Sequence, residues 1–255
     1  MRLAPGASGV GLIACDSVGS TNEEALRRAR AGERGPLWIT ARRQSAGRGR
    51  RGRSWVSEPG NLFATLLVTD PAQPERAAQL SFVAALAVHD AIASLAPALQ
   101  SRLALKWPND VLCGGAKLAG ILIEAEGTRP LMVAVGIGIN CRHHPGDTEH
   151  PATDLAAEGA AVTAEALFEA LSGTMMGRME QWQAGFAAVR ADWLARAAAL
   201  GGEIAVWLGA RELAGRFETL DEAGRLVLRL ADGRHETIAA GEVFPIAPAG
   251  NSVGR

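Results

Sequence analysis

The sequence predicts an α+β chain in two parts: strands and helices to about residue 200, then about fifty residues of small β-barrel. Three observations carry this. Four short segments rich in large apolar and β-branched residues crowd together at 103–107, 110–113, 118–124 and 131–139, and read as strands. Apolar side chains recur every three or four residues across 163–199, which is helical spacing. After Gly201-Gly202 the texture changes to short alternating segments, punctuated by Asp221-Glu-Ala-Gly224 and Asp232-Gly233, the turn pattern of an antiparallel barrel. The expected boundaries are therefore 1–200, 201–248 and a disordered tail over 249–255.

In chain order, 10–15 reads as a short buried strand. Ser20-Thr21-Asn22-Glu23-Glu24 then reads as a helix start, a capping box in either register, with the helix running to about Gly32. Residues 37–41 form another strand and lead into an arginine- and glycine-rich loop to about Ser54. A strand follows at 61–69, and 75–95 is an apolar helix stopped by Pro97. Between the second and third of the four clustered strands, Gly114-Gly115 makes a tight hairpin turn. Residues 143–161 are a polar, proline-containing loop. Along 163–199, Leu167, Leu171, Met175, Met179, Trp182, Phe186, Val189 and Trp193 make one stripe, read as core and not as a ligand box.

Composition narrows the function classes. With 26 basic and 27 acidic residues the formal net charge is −1, which argues against a general affinity for nucleic acid or an anionic membrane. No apolar run is long enough to span a bilayer. The start, Met-Arg-Leu-Ala-Pro-Gly, breaks before a signal-peptide core. Cys15, Cys113 and Cys141 are odd in number and lack metal-ligand spacing, so they fit reduced thiols of a cytoplasmic protein, with no role assigned. His143, His144 and His150 have no cysteine or carboxylate at ligand spacing, and a solvated loop is the expectation there.

Basic residues are distributed unevenly. Only Lys106 and Lys117 are lysines, eleven positions apart; the other 24 are arginines. A lysine is a compact point charge suited to one phosphate or carboxylate oxygen, whereas arginine is a flat fork. Two lysines falling together by chance in an arginine-biased chain is the bland reading. A second cationic segment stands beside it. Six arginines (Arg42, Arg43, Arg48, Arg50, Arg51, Arg53) and three glycines occupy 42–53 with no acidic residue among them. Such a loop repels itself and is expected to close over an anion. By itself it is equally a solvated basic face, or a nucleic-acid patch. Neither a dinucleotide fingerprint nor a P-loop spacing is met.

Five segments in order settle the comparison: Ser20-Thr21-Asn22, Gln44-x-x-Gly-Arg-Gly-Arg-Arg-Gly-Arg53, Lys106-Trp-Pro-Asn-Asp110, Lys117-Leu-Ala-Gly-Ile-Leu-Ile-Glu124 and Gly136-Ile-Gly-Ile-Asn140. Together, over about 120 residues, they resemble the motifs of biotin protein ligases. The resemblance implies a mixed β-sheet flanked by helices, like the catalytic domain of class II aminoacyl-tRNA synthetases, over 1–200. It implies a small SH3-like barrel over 201–248. It also implies the monofunctional kind, because only nineteen residues precede Ser20 and leave no room for a winged helix-turn-helix; no DNA partner is expected.

Such enzymes use ATP and Mg2+ to make biotinyl-5′-adenylate, then pass biotin to one lysine of the carrier domain of acetyl-CoA carboxylase or a related carboxylase. By motif position, Ser20, Thr21 and Asn22 would meet the ureido end of biotin, with Gln44 beside it; plain helix capping is the other task open to the two hydroxyls. Arg48, Gly49 and Arg50 would close over biotin and adenylate, and Lys117 would bridge the carboxylate and the α-phosphate. Lys106 and Asn109 belong to the same phosphate and nucleotide region. Asp110 would orient the incoming lysine or a metal, or simply form a turn. Asn140 would read the adenine edge, and Trp55 would cover the adenine face or anchor the loop. Gly120 and Gly138 would admit the ligand to the backbone, or mark strand bulges. No residue is assigned to the metal, and a homodimer is left open. An enzyme of related fold acting on lipoate or a medium-chain acid is the nearest rival; the arginine loop disfavours it.

Overall fold

A computed structural model of the chain describes residues 2–3, 9–71, 73–146, 148 and 151–245. His150 and the expected tail lie outside the described residues. The first part contains β1 (Arg2–Leu3), β2 (Gly11–Val18), α1 (Thr21–Arg30), β3 (Leu37–Gln44), β4 (Leu62–Thr69), α2 (Pro74–Ala77) and α3 (Leu80–Leu95). It continues with β5 (Leu103–Lys106), β6 (Asp110–Cys113), β7 (Ala116–Glu126), β8 (Met132–Ile139), α4 (Ala164–Ala184) and α5 (Phe186–Leu194). One eight-stranded sheet has the order β1-β2-β3-β4-β8-β7-β6-β5. It is mixed: β2 and β3, joined through α1, run parallel, and the other pairs are antiparallel.

Alternation along each strand sends side chains to opposite faces and creates two cores. On one face, Ala25, Leu26 and Ala29 of α1 pack on Ile13, Leu37, Ile39, Leu67 and Ala134. The other face carries Trp38, Leu66, Val133, Val135 and Ile137 under α3, α4 and α5. The α3 helix is apolar all round because it is sandwiched between the sheet and α4, and it is buried from Leu80 to Ala87. On the α1 face, α1 does not cover β7 and the C-terminal end of β8, and the cavity described below opens there.

Several expectations change. The helix expected over 75–95 is broken into α2 and α3 near Gln79. That expected over 163–199 is two helices, because Gly185 adopts φ 145°, a conformation open to glycine. The stripe of eight residues is buried as expected. Beyond Leu194 the chain leaves the helix to bond β5, with Leu105 N donating to Arg196 O and Ala198 N to Leu105 O. The capping box is not formed: Ser20 is the N-cap residue, yet no side chain caps the helix. Gly114 and Gly115, at φ 58° and 86°, make the hairpin turn between β6 and β7.

The C-terminal strands β9 (Glu203–Trp207), β10 (Glu212–Leu220), β11 (Leu226–Arg229), β12 (His235–Ile238) and β13 (Glu242–Pro245) form a separate antiparallel sheet, ordered β12-β11-β10-β9-β13. Its first expected turn is held by Asp221 Oδ1, which accepts from the backbone N–H groups of Ala223 and Arg225. Trp107 Nε1 donates to Gly224 O at 3.1 Å, tying this turn to the larger sheet. Among the described residues no helix is long and apolar enough to cross a membrane.

Candidate active site

One cavity of about 710 Å³ is walled by α1, β7, β8, the arginine loop and β13. Its floor is glycine. Gly120 pairs with Gly138 and Leu122 with Gly136 across β7 and β8. A Cβ on Gly136 would stand 2.3 Å from Asn22 Oδ1, and one on Gly138 2.6 Å from Trp55 Cε2. One on Gly120 would stand 2.9 Å from Trp55 Cζ3. These glycines therefore let Asn22 and the Trp55 indole lie directly on the strands. The bulge reading does not hold for Gly120, since the register shift in this pairing falls between Val111 and Leu112.

One end of the cavity is lined by neutral polar side chains, with the Glu124 carboxylate behind Asn22. Thr21 N and Oγ1 lie 2.9 and 3.1 Å from Gln44 Oε1. Asn22 Nδ2 donates to Leu122 O and to Glu124 Oε2, at 3.1 and 2.8 Å. Beneath them Thr65 Oγ1 lies 2.8 Å from Thr21 Oγ1 and 2.7 Å from Asn22 Oδ1. Thr65 is fully buried and was not singled out from sequence. The available signal was a hydroxyl inside the apolar run Leu-Phe-Ala-Thr-Leu-Leu-Val of β4.

The other end is cationic. Lys117 Nζ lies 2.7 Å from Asp110 Oδ1 and 5.5 Å from the centre of the Trp55 ring. Lys106 Nζ stands 5.8 Å from the Phe244 ring centre, and burial pushes its ammonium below the usual lysine range. Arg50 donates to Asn109 Oδ1 at 3.0 Å and to Gly241 O at 3.1 Å. Burial lowers its guanidinium as well. Arg48 faces Glu124 and Glu23 at 3.2 and 3.6 Å, and Arg51 and Arg53 face Glu242 at 3.4 and 2.5 Å. The self-repelling loop thus draws its counter-charges from distant segments and is folded over the cavity, with a turn of 3-10 helix at Arg50–Gly52.

Every residue singled out from sequence for the site lines this one cavity: Ser20, Thr21, Asn22, Gln44, Arg48, Gly49, Arg50, Trp55, Lys106, Asn109, Asp110, Lys117, Gly120 and Asn140. All four amide side chains among them are held by protein partners, Asn22 by Leu122 O, Glu124 and Thr65, and Gln44 by Thr21 and Ser57. Asn109 Nδ2 donates to Ile121 O at 2.7 Å, and Asn140 Nδ2 to Thr153 O at 3.0 Å. Two walls were missed. One is Pro151 and Ala152 of the polar loop, held against Lys117 by backbone bonds; the other is Glu242 and Val243 of β13. Neither left a local signal, since both arrive by tertiary packing. The histidine loop is more than solvated: His144 Nδ1 lies 2.6 Å from Asp154 Oδ2, whose side chain is buried. No cluster of three metal-ligating side chains occurs among the described residues. Cys113 and Cys141 are buried free thiols, and burial pushes Cys141 up to about 12.

Comparison with known proteins agrees with this geometry. The sequence profile of the Biotin/lipoate A/B protein ligase family matches residues 16–140, and that of the Biotin protein ligase C terminal domain matches 199–244. The biotin–[acetyl-CoA-carboxylase] ligase of Paracoccus denitrificans is 47% identical over 238 residues, covering 88% of this chain and 96% of that protein. The corresponding ligase of Mycobacterium tuberculosis is 36% identical, covering 89% of this chain and 85% of that one. Among solved structures, the biotin protein ligase of Aquifex aeolicus in complex with biotin and ATP superposes with a TM-score of 0.77 at 28% identity, over 91% of this chain and 97% of that one.

Proposed function

We propose that this chain, which belongs to the biotin protein ligase family, is a biotin–[biotin carboxyl carrier protein] ligase that uses ATP. The biotin carboxylate attacks the α-phosphorus of ATP, pyrophosphate leaves, and a carboxyl–phosphate anhydride forms. A carrier lysine, as free amine, then attacks the carbonyl; the amide forms, AMP departs and the amine's proton is lost. The observation that carries this reading is one cavity with a neutral hydrogen-bonding end and a cationic end, joined by a glycine floor. The volume suits a ligand of this size.

The first step is hard because two anions must meet. Lys117, Arg48 and Arg50 would offset that repulsion, with Lys117 placed between carboxylate and α-phosphate. Each is held by a protein partner that substrate oxygens would replace: Asp110 for Lys117, Glu23 and Glu124 for Arg48, Asn109 for Arg50. Released from Lys117, Asp110 is positioned to receive the incoming lysine. Trp55 and the folded arginine loop would keep water from the anhydride. Ser20, Thr21, Asn22 and Gln44 would hold the ureido group, Lys106 the phosphates, and Asn140 the wall beside the nucleotide. A magnesium ion would reach the site on the phosphates of ATP, and no side chain of this chain is assigned to it. That ion supplies charge neutralisation at the leaving pyrophosphate.

The finer assignments follow from the same reading. Residues 1–200 form a catalytic domain like that of class II aminoacyl-tRNA synthetases, and 201–248 an SH3-like domain. The protein acts in the cytoplasm, on a carboxylase carrier and not on DNA. Incubation with biotin, MgATP and a carrier domain should label the carrier and give biotin-dependent ATP–pyrophosphate exchange. Absence of both, or equal activity with lipoate, defeats the reading.

A further inference from the structure

The polar end of the cavity contains a run of hydrogen bonds whose direction is dictated at both ends by groups that only accept. Asn22 Nδ2 faces Leu122 O and the Glu124 carboxylate, so that atom is the nitrogen and Oδ1 is an acceptor. Thr65, 2.7 Å away, must give Oδ1 its only proton. The 2.8 Å contact between the Thr65 and Thr21 hydroxyls then needs the Thr21 proton. From the other side, Ser57 donates to Trp55 O, so it accepts from Gln44 Nε2 and turns Gln44 Oε1 toward Thr21. There Oε1 takes the Thr21 backbone N–H at 2.9 Å. The alternative, Thr21 Oγ1 donating to Gln44 at 3.1 Å, would leave two hydroxyl oxygens 2.8 Å apart with no proton between them, whereas the direction given leaves unbridged only the longer 3.1 Å contact of Thr21 Oγ1 with Gln44 Oε1.

From this we infer that Thr65 and Glu124 are positioning residues that set ligand specificity, by fixing the Thr21 hydroxyl as an acceptor toward the cavity. Neither does so by touching ligand: Thr65 lies fully buried behind Thr21 and Asn22, and Glu124 behind Asn22. A ligand with an N–H at this point is favoured, and one offering a carbonyl or ether oxygen meets an oxygen lone pair. Apolar acids such as octanoate or lipoate would leave that lone pair unpaired in a buried site, which is the costlier kind of mismatch. Glu124 is the one charged member of the run, and its charge keeps the Asn22 amide from flipping. The inference rests on the reading of the cavity as a biotin site.

The test compares biotin with its two oxazolidinone isomers, in each of which one ureido N–H is replaced by ring oxygen, by calorimetry on the full chain without ATP. Wild type should discriminate strongly against one isomer. Thr65→Val should weaken biotin about 30-fold while weakening that isomer less than about threefold, because the lost acceptor has no N–H to receive there. Exchange assays should show the change in KM for biotin, with kcat within about threefold, and Thr65→Ser should restore biotin affinity. Glu124→Gln gives a second route should Thr65→Val not fold. It should lower the ratio of biotin affinity to that isomer's affinity, a ratio from which effects through Arg48 cancel because both ligands carry the same carboxylate. Equal losses for biotin and both isomers, no rescue by serine, or unchanged biotin affinity overturns the inference. Failure of the wild type to bind biotin at all would instead overturn the functional reading beneath it.

Discussion

Replacing Lys117 by alanine removes the cation that would sit between the two reacting anions. Its Nζ is 2.7 Å from Asp110 and its side chain is 31% exposed, so the charge is only partly screened. Two unit charges about 4 Å apart at an effective dielectric of about 20 interact by roughly 4 kcal/mol. Lost from the transition state, that is about a thousandfold in rate. A second effect has the opposite sign of charge. Without Lys117, the Asp110 carboxylate faces the cavity unneutralised and repels the phosphates, which should raise the KM for ATP. Pairing Lys117→Ala with Asp110→Asn separates the two effects. Biotin-dependent ATP–pyrophosphate exchange should show kcat down about a thousandfold in both variants, and the KM for ATP raised only in the single one. Exchange within about tenfold of wild type in Lys117→Ala, or kcat restored in the double variant, would refute the bridging role.

Three further outcomes are expected. Arg50→Gly deletes the bonds to Asn109 and Gly241 that hold the loop closed, so adenylate should escape and hydrolyse about tenfold faster, measured as AMP released without carrier; equal retention would count against a lid. Gly138→Val puts a Cβ 2.6 Å from Trp55 Cε2 and drives the indole off the floor, so calorimetry at saturating biotin should show affinity for an ATP analogue lowered by about a hundredfold with the fold intact, and unchanged affinity would remove Trp55 from the nucleotide site. For Lys106, burial lowers the ammonium in the folded state, so folding is opposed while the group is charged and this opposition fades as pH rises from the lowered value toward the unfolded 10.5. Lys106→Met should therefore raise Tm at neutral pH, and the gain should shrink on approach to pH 10.5; a gain constant with pH would contradict the assignment.

Most of the site was legible in sequence because its residues come in short local clusters whose chemistry is unusual for their surroundings. The two lysines, the glycine-spaced arginines and the Ser-Thr-Asn triplet all line the cavity. What escaped was relational. Thr65 is one hydroxyl in an apolar strand, and only its 2.7–2.8 Å contacts across to α1 give it meaning. Glu242 lies far along the chain from Arg51 and Arg53, so a loop that reads as self-repelling is neutralised by a separate sheet. Local patterning ran neighbouring helices together for a similar reason. The stripe from Leu167 to Trp193 is continuous in burial, and a single Gly185 torsion divides it without altering which side faces the core. Ser20 and Thr21 resemble a cap in sequence, but the Thr21 hydroxyl is engaged by Thr65 instead of by the helix end.

Attack of one acid's oxygen on phosphorus is the event this cavity is built to permit, and isotope transfer reports it without reference to any variant. Biotin carrying 18O in both carboxyl positions should, after one full turnover with MgATP and a carrier domain, leave one heavy oxygen in each AMP and the other in the new amide. Unlabelled AMP, with the isotope in phosphate or retained wholly in the carboxyl group, would contradict the account.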